Sequence, residues 1–207
     1  MPGPADRYAG HMSSRGVAHI TRLHDAHGRR TLTCRRVFSA AAALLGERAD
    51  GRLSMPALAA RAQVAPAAVT AHFPSVDAVL AELYLDRVTA LPLVIVADNP
   101  PAARVGGQLR AVALVMADEP TLAAACSRAL LSSDEPAVAV ARDRIGAEVQ
   151  RRIAAALGTG AWPEVQAALE TLFWGALVQV QSCAIDYRTM ADRLDTMLSL
   201  ILPDTDG

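Results

Sequence analysis

Four arginines, Arg29, Arg30, Arg35 and Arg36, stand close together near the front of a 207-residue chain whose 20 basic residues are all arginine. A guanidinium is a permanently charged fork that fits phosphate oxygens. The four lie at the start of an apolar-periodic segment, about Thr31 to Arg48. A cationic cluster there opposes the helix dipole, so an external anion is the natural partner and DNA phosphate the natural candidate. Other chemistry is thin. His24, His27 and Cys34 are close enough in sequence to approach a metal, but no spaced pair of ligand pairs accompanies them. No metal ligand set is therefore assigned. Gly106-Gly107 falls inside a helical pattern and is not a phosphate loop, and no nucleophile motif is present. The expectation is a protein without catalytic residues or cofactor, and not an enzyme.

The elements that position these arginines must come from the next stretch of chain. From Ser54 to Leu80 the sequence reads as short helices separated by breaks. Leu58, Ala59 and Ala62 share a face at helical spacing. Ser54 is placed to accept an early backbone N–H, and Pro56 sits in the first turn, where its missing N–H is harmless. Gln63-Val64-Ala65 predicts a tight turn, Pro66 opens a second helix to about His72, and Ser75 caps a third through Val79, Leu80 and Leu83. Two short helices joined by a few residues have the geometry of a helix-turn-helix.

These residues resemble the DNA-binding domain of the TetR family of bacterial one-component regulators. The matching positions are Ala40 and Ala41, then Leu58-Ala59, Ala62, Val64, Val69, His72-Phe73-Pro74-Ser75 and Leu80. The specific resemblance spans about Arg35 to Leu91. It implies a DNA-binding set of Arg35, Arg36, Ser54, Ala65, Ala67, Ala68, Thr70 and His72. The chain departs from the family pattern at the recognition helix. Ala65 stands where a hydroxyl cap is usual, Ala67 and Ala68 replace small polar residues, Thr70 replaces Tyr, and Val76 replaces Lys. Several groups that grip phosphate are thus lost, so base contact is expected through Ala67, Ala68 and the Thr70 methyl.

Charge and composition agree with this polarity. Residues Met1–Arg36 carry seven Arg against Asp6 and Asp25, a balance of +5, whereas Leu91–Gly207 carries nine Arg against fourteen acids, −5. The basic end is the one beside the helix-turn-helix. Apolar residues make up 52% and aromatics only 4%, and few segments alternate with period two, so the fold class expected is all-α. Cys34, Cys126 and Cys183 are odd in number and widely spaced, which predicts a reducing, cytoplasmic setting. No apolar run reaches a membrane span and no membrane partner is expected. Residues 1–28 read as a polar, disordered basic tail, in which Gly10-His11-Met12 could be a cloning scar or an alternative start.

Beyond Pro92 the body reads as five helices, about 102–117, 120–131, 135–157, 163–185 and 189–202, for a total near nine. The domains expected are therefore 29–91 for DNA and 92–207 for effector binding and dimerisation. Val165–Ile185 is apolar nearly all round, so one face meets the core and the other needs a partner. Together with the last helix it predicts a four-helix homodimer interface of Leu172, Gly175, Ala176, Gln179, Leu194, Leu198 and Ile201. The resemblance implies a small-molecule effector inside the body, with Met116, Cys126, Leu130, Phe173, Trp174, Leu177 and Gln181 as a soft lining for an apolar or amphipathic ligand. Met116-Ala117-Asp118-Glu119-Pro120 and the late Trp also resemble the actinobacterial branch that includes sterol-catabolism repressors. The function implied is a repressor released from a double-stranded DNA operator by that effector. The alternative is a protein that keeps this fold with weakened or lost DNA binding.

Overall fold

The computed structural model describes residues 14–47, 52–159 and 162–202, the first helix by its backbone alone as far as residue 29. Among the described residues there are nine helices and no strand. They are α1 (Ser14–Glu47), α2 (Met55–Ala62), α3 (Pro66–His72), α4 (Val76–Ala90), α5 (Pro101–Ala113), α6 (Pro120–Ser132), α7 (Pro136–Leu157), α8 (Pro163–Gln181) and α9 (Tyr187–Ile201). Proline opens five of them: Pro66, Pro101, Pro120, Pro136 and Pro163 each fall in a first turn, where no N–H partner is missed. Ser54, Ser75 and Asp186 cap α2, α4 and α9 by accepting the N–H of Ala57, Ala78 and Thr189.

Three expectations need correction. The tail predicted over 1–28 is helical from Ser14. Its Ala, Leu and Arg residues favour a helix, and Gly16 and Gly28 each weaken one by only about 1 kcal/mol. The first thirteen residues, the Asp50-Gly51 turn and Gly160 lie outside the described residues. The helix predicted through Ile185 stops at Gln181, because the chain turns at Cys183 with φ +58° before Asp186 starts α9. Likewise α5 ends at Ala113, and residues 114–119 continue as tight turns, with the Glu119 N–H donating to the Met116 carbonyl.

α1, α2 and α3 close a small head around Val37, Ala41, Leu45, Leu58 and Val69, all fully buried. Phe73 packs on Phe38, with ring centroids 5.7 Å apart, and Arg61 of α2 pairs with Glu47 of α1. α4 leaves the head and packs along α6 and α7, burying Val79, Leu83, Tyr84 and Val88. α5 lies between α7 and α9, and α8 packs on α9. α5 and α9 approach closely because Gly106 has no side chain: a Cβ there would stand 2.9 Å from Asp195 Oδ1. Arg110 crosses the same seam to Asp192 and Asp195 at 2.9 and 2.8 Å. The apolar core is one continuous cluster from Val37 to Leu198. Among the described residues, no helix is long and apolar enough to cross a membrane.

Candidate nucleic-acid interface

The turn between α2 and α3 is set by Gln63. It takes the left-handed conformation, φ +53°, ψ +46°, and its N–H reaches the carbonyls of Ala59 and Ala60. This closes α2 and redirects the chain in three residues. α3 then starts at Pro66 with no side-chain cap from Ala65. Val69, fully buried, and Phe73 anchor α3 to the head. The opposite face carries Pro66, Ala67, Thr70 and Ala71, all exposed.

That face is smooth. Thr70 Oγ1 donates back to the carbonyls of Pro66 and Ala67, each at 3.2 Å, so its hydroxyl hydrogen is engaged by the helix itself. Ala68 is half-buried and turns partly away. Ala71, which the sequence reading missed, belongs on the exposed face beside Ala67 and Thr70; its spacing of four from Ala67 was the available signal. His72 is half-buried and meets Phe73 edge-on at 6.4 Å. It is as much a packing residue as a contact. The Ser54 hydroxyl is exposed but engaged in its cap at 3.3 Å.

The arginines divide. Arg30 and Arg35 line one groove between α1 and α4 with Cys34, Glu82, Asp86 and Arg144, and His72 at the C-terminal end of α3 reaches the same groove. Arg36 is exposed but is turned about 100° from Arg35 around the helix. Neither Arg35 nor Arg36 forms an ion pair with any described residue. The structure thus groups Arg30 with Arg35 at the recognition helix, where the sequence suggested Arg35 with Arg36. Burial pushes the Cys34 thiol in this groove up, partly offset by Arg30.

A short helix with a bare exposed face, buried through Val69 and flanked by cations from α1, has the form of a recognition helix in a helix-turn-helix. The family model described as bacterial regulatory proteins, tetR family, matches residues 37–83. Over 185 residues the chain is 46% identical to HTH-type transcriptional regulators, named as uncharacterised, of Mycobacterium tuberculosis and Mycobacterium bovis; the match covers 86% of this chain and 87% of each relative. The chain belongs to the TetR family. A TetR transcriptional regulator from a Rhodococcus species shares the fold, with a TM-score of 0.68 at 16% identity over 86% of this chain and all of that one. The protein is accordingly a TetR-family transcriptional regulator with a DNA-binding helix-turn-helix, and α4 is the helix that joins its head to its body.

In this TetR-family body the residues expected to line an effector site are mostly core. Met116, Cys126, Leu130, Phe173 and Leu177 are at most 2% exposed. Burial pushes the Cys126 thiol far up. Trp174 and Gln181 are half-buried; Trp174 stacks edge-on against Phe173 at 5.8 Å, and Gln181 donates to Ser132 Oγ at 3.1 Å. The expected dimer set also divides. Leu194 and Leu198 turn into the protomer's own core, with exposures of 1% and 0%, and Ala176 is buried too. Gly175, Gln179 and Ile201 are exposed, and Leu172 is half-buried. An apolar groove of about 350 Å³ runs between α8 and α9, lined by Leu172, Gly175, Gln179, Ile185 and Met197, with Leu194 also reaching it. A Cβ on Gly175 would touch nothing within 4 Å.

Proposed function

We propose that the protein is a repressor that holds a palindromic operator as a homodimer and is released from it by a small apolar or amphipathic effector. The observation that carries the DNA part is the exposed Ala67–Thr70–Ala71 face of α3 with Arg30 and Arg35 beside it. Small side chains let the helix approach base edges closely, and the thymine methyl is the complementary surface. Arg30, Arg35 and Arg36 supply phosphate contacts that fix the register. The second copy sits on the α8–α9 groove, where Leu172, Gly175 and Met197 meet their symmetry equivalents; the exposed apolar residues Val178, Met197 and Leu200 support that placement. The effector reading is supported by the soft set around Cys126 and Phe173. That set is closed in the form described, so the ligand must part α6 from α8 to enter.

The test is a gel shift with DNA upstream of the protein's own gene. Wild type gives a sequence-selective shift, and Ala71→Glu abolishes it by placing a carboxylate against phosphate and base edges. An Ala71→Glu protein that binds like wild type shows that this face does not enter the groove. A second reading, a ligand-binding protein that has kept the fold with weak DNA affinity, is favoured by the uncapped start of α3 and the self-engaged Thr70 hydroxyl. Absence of any selective shift at low salt supports it.

A further inference from the structure

Among the described residues, Arg152 of α7 is the largest fully buried side chain and the only charged one fully buried. It lies under the end of the helix that carries the head. A guanidinium offers five N–H donors, and here they meet five oxygens. Nε donates to Glu148 Oε1 at 2.8 Å. Nη1 donates to Gln108 Oε1 at 3.2 Å and to the Pro92 carbonyl at 3.4 Å. Nη2 donates to the carbonyls of Val88 at 3.1 Å and Leu91 at 2.6 Å. α4 ends at Ala90, so three of these acceptors are carbonyls that close α4 and begin the linker after it. A cation at that end complements the helix dipole. Gln108 extends the grip, since its Nε2 donates to the Val94 carbonyl at 2.7 Å.

α7 holds α4 at two further levels. The Ser75 hydroxyl donates to the Glu135 carboxylate just before α7, and Arg144 pairs with Glu82 at 3.1 Å. The Arg144–Glu82 pair is substantially solvent-exposed and weak. Arg152 alone is dry, charged and saturated, so it fixes one end of α4 while the other levels can yield. We infer that Arg152 is a positioning residue for DNA binding: it pins the C-terminal end of α4, and so sets the angle of each head and the distance between the two recognition helices. This rests on the reading that a dimer holds two half-sites. The pin touches no DNA. Removing it leaves α3 and its arginines intact and loosens only where they are held.

The experiment uses the full-length protein. Duplexes selected from a random pool by wild type define the site, and the half-site separation is then changed by one or two base pairs. Each base pair moves a half-site about 3.4 Å along the axis. Wild type is expected to lose about tenfold in affinity per step, and Arg152→Met to bind all separations within about threefold, with single half-site affinity unchanged. Arg152→Lys, which keeps a charge but not the fork, falls between. An Arg152→Met protein that keeps the tenfold discrimination overturns the inference.

Gln108→Leu, which frees the linker carbonyl, carries the same expectation if Arg152→Met does not fold. Independently of DNA, spin labels at Ala71→Cys and Ala168→Cys, with Cys34, Cys126 and Cys183 replaced, report the head-to-body distance within one protomer diluted in unlabelled protein. A broadened distribution in the Arg152 or Gln108 variant is expected, and an unchanged one overturns the pin. If wild type selects no sequence, the operator reading fails and the distance measurement still decides this one.

Discussion

At the scale of single residues, side chains whose hydrogen bonds are already engaged behave differently from those left open. The Ser54 hydroxyl accepts the Ala57 N–H, so Ser54→Ala is expected to lower stability by about 1 kcal/mol. DNA affinity should fall no more than that loss of folded protein explains, measured by denaturant melts beside titrations. Arg35 faces the α3 groove and pairs with no described residue. Arg35→Ala should reduce the slope of log affinity against log salt by about 0.9, on specific and scrambled duplexes alike; an unchanged slope places Arg35 off the phosphate backbone. Cys183 is exposed and Cys126 fully buried with its thiol pushed far up, so alkylation in native buffer should modify Cys183 and reach Cys126 only on unfolding. The α3 motif was legible in the sequence because its residues obey one spacing. The effector candidates were not separable from core, since Met, Leu and Phe at helical spacing look the same whether they line a ligand or pack against each other.

At the scale of elements, the helix boundaries were legible wherever proline or a capping hydroxyl marked a start, and α3 runs over the residues that Pro66 and the His72-Phe73-Pro74 break predict. Boundaries with no such mark were misplaced: α1 begins earlier than its charged, glycine-bearing start suggested, and α8 stops earlier than its apolar run suggested. Gln63 was read as turn without its strain being visible. A non-glycine residue held at φ +53° is strained, so Gln63→Gly should raise stability by about 0.5–1 kcal/mol after the added unfolded-state entropy, seen as a higher denaturation midpoint. On α8, the open space around Gly175 makes the dimer reading testable without damage to the protomer. Gly175→Arg should yield a helical, folded monomer in sedimentation, with operator binding collapsed. A dimer that survives the change moves the interface elsewhere.

At the scale of the whole molecule, the same side chains serve head and body. Val79, Leu83, Tyr84 and Val88 of α4 are buried where α4 packs on α6 and α7, and the core runs on without interruption. Composition and the Pro92 break suggested a division near residue 91, and the packing that joins the two sides of it was not legible, because contacts between distant segments leave no local pattern. Calorimetry should show one cooperative transition with no separate melting of the head. The buried arginine under α4 carries this further, into how such proteins can be recombined. A head cut from this chain after Leu91 loses the cation that meets its last carbonyls, and the body left behind loses two of the five acceptors of Arg152 and uncovers a guanidinium that Glu148, Gln108 and Pro92 still hold. Exchange of heads between relatives at that seam should preserve these main-chain acceptors only where the foreign α4 ends at the same depth over α7, so well-behaved chimeras should require α4 and α7 to travel together, and the unit of inheritance for DNA specificity is larger than the part that touches DNA.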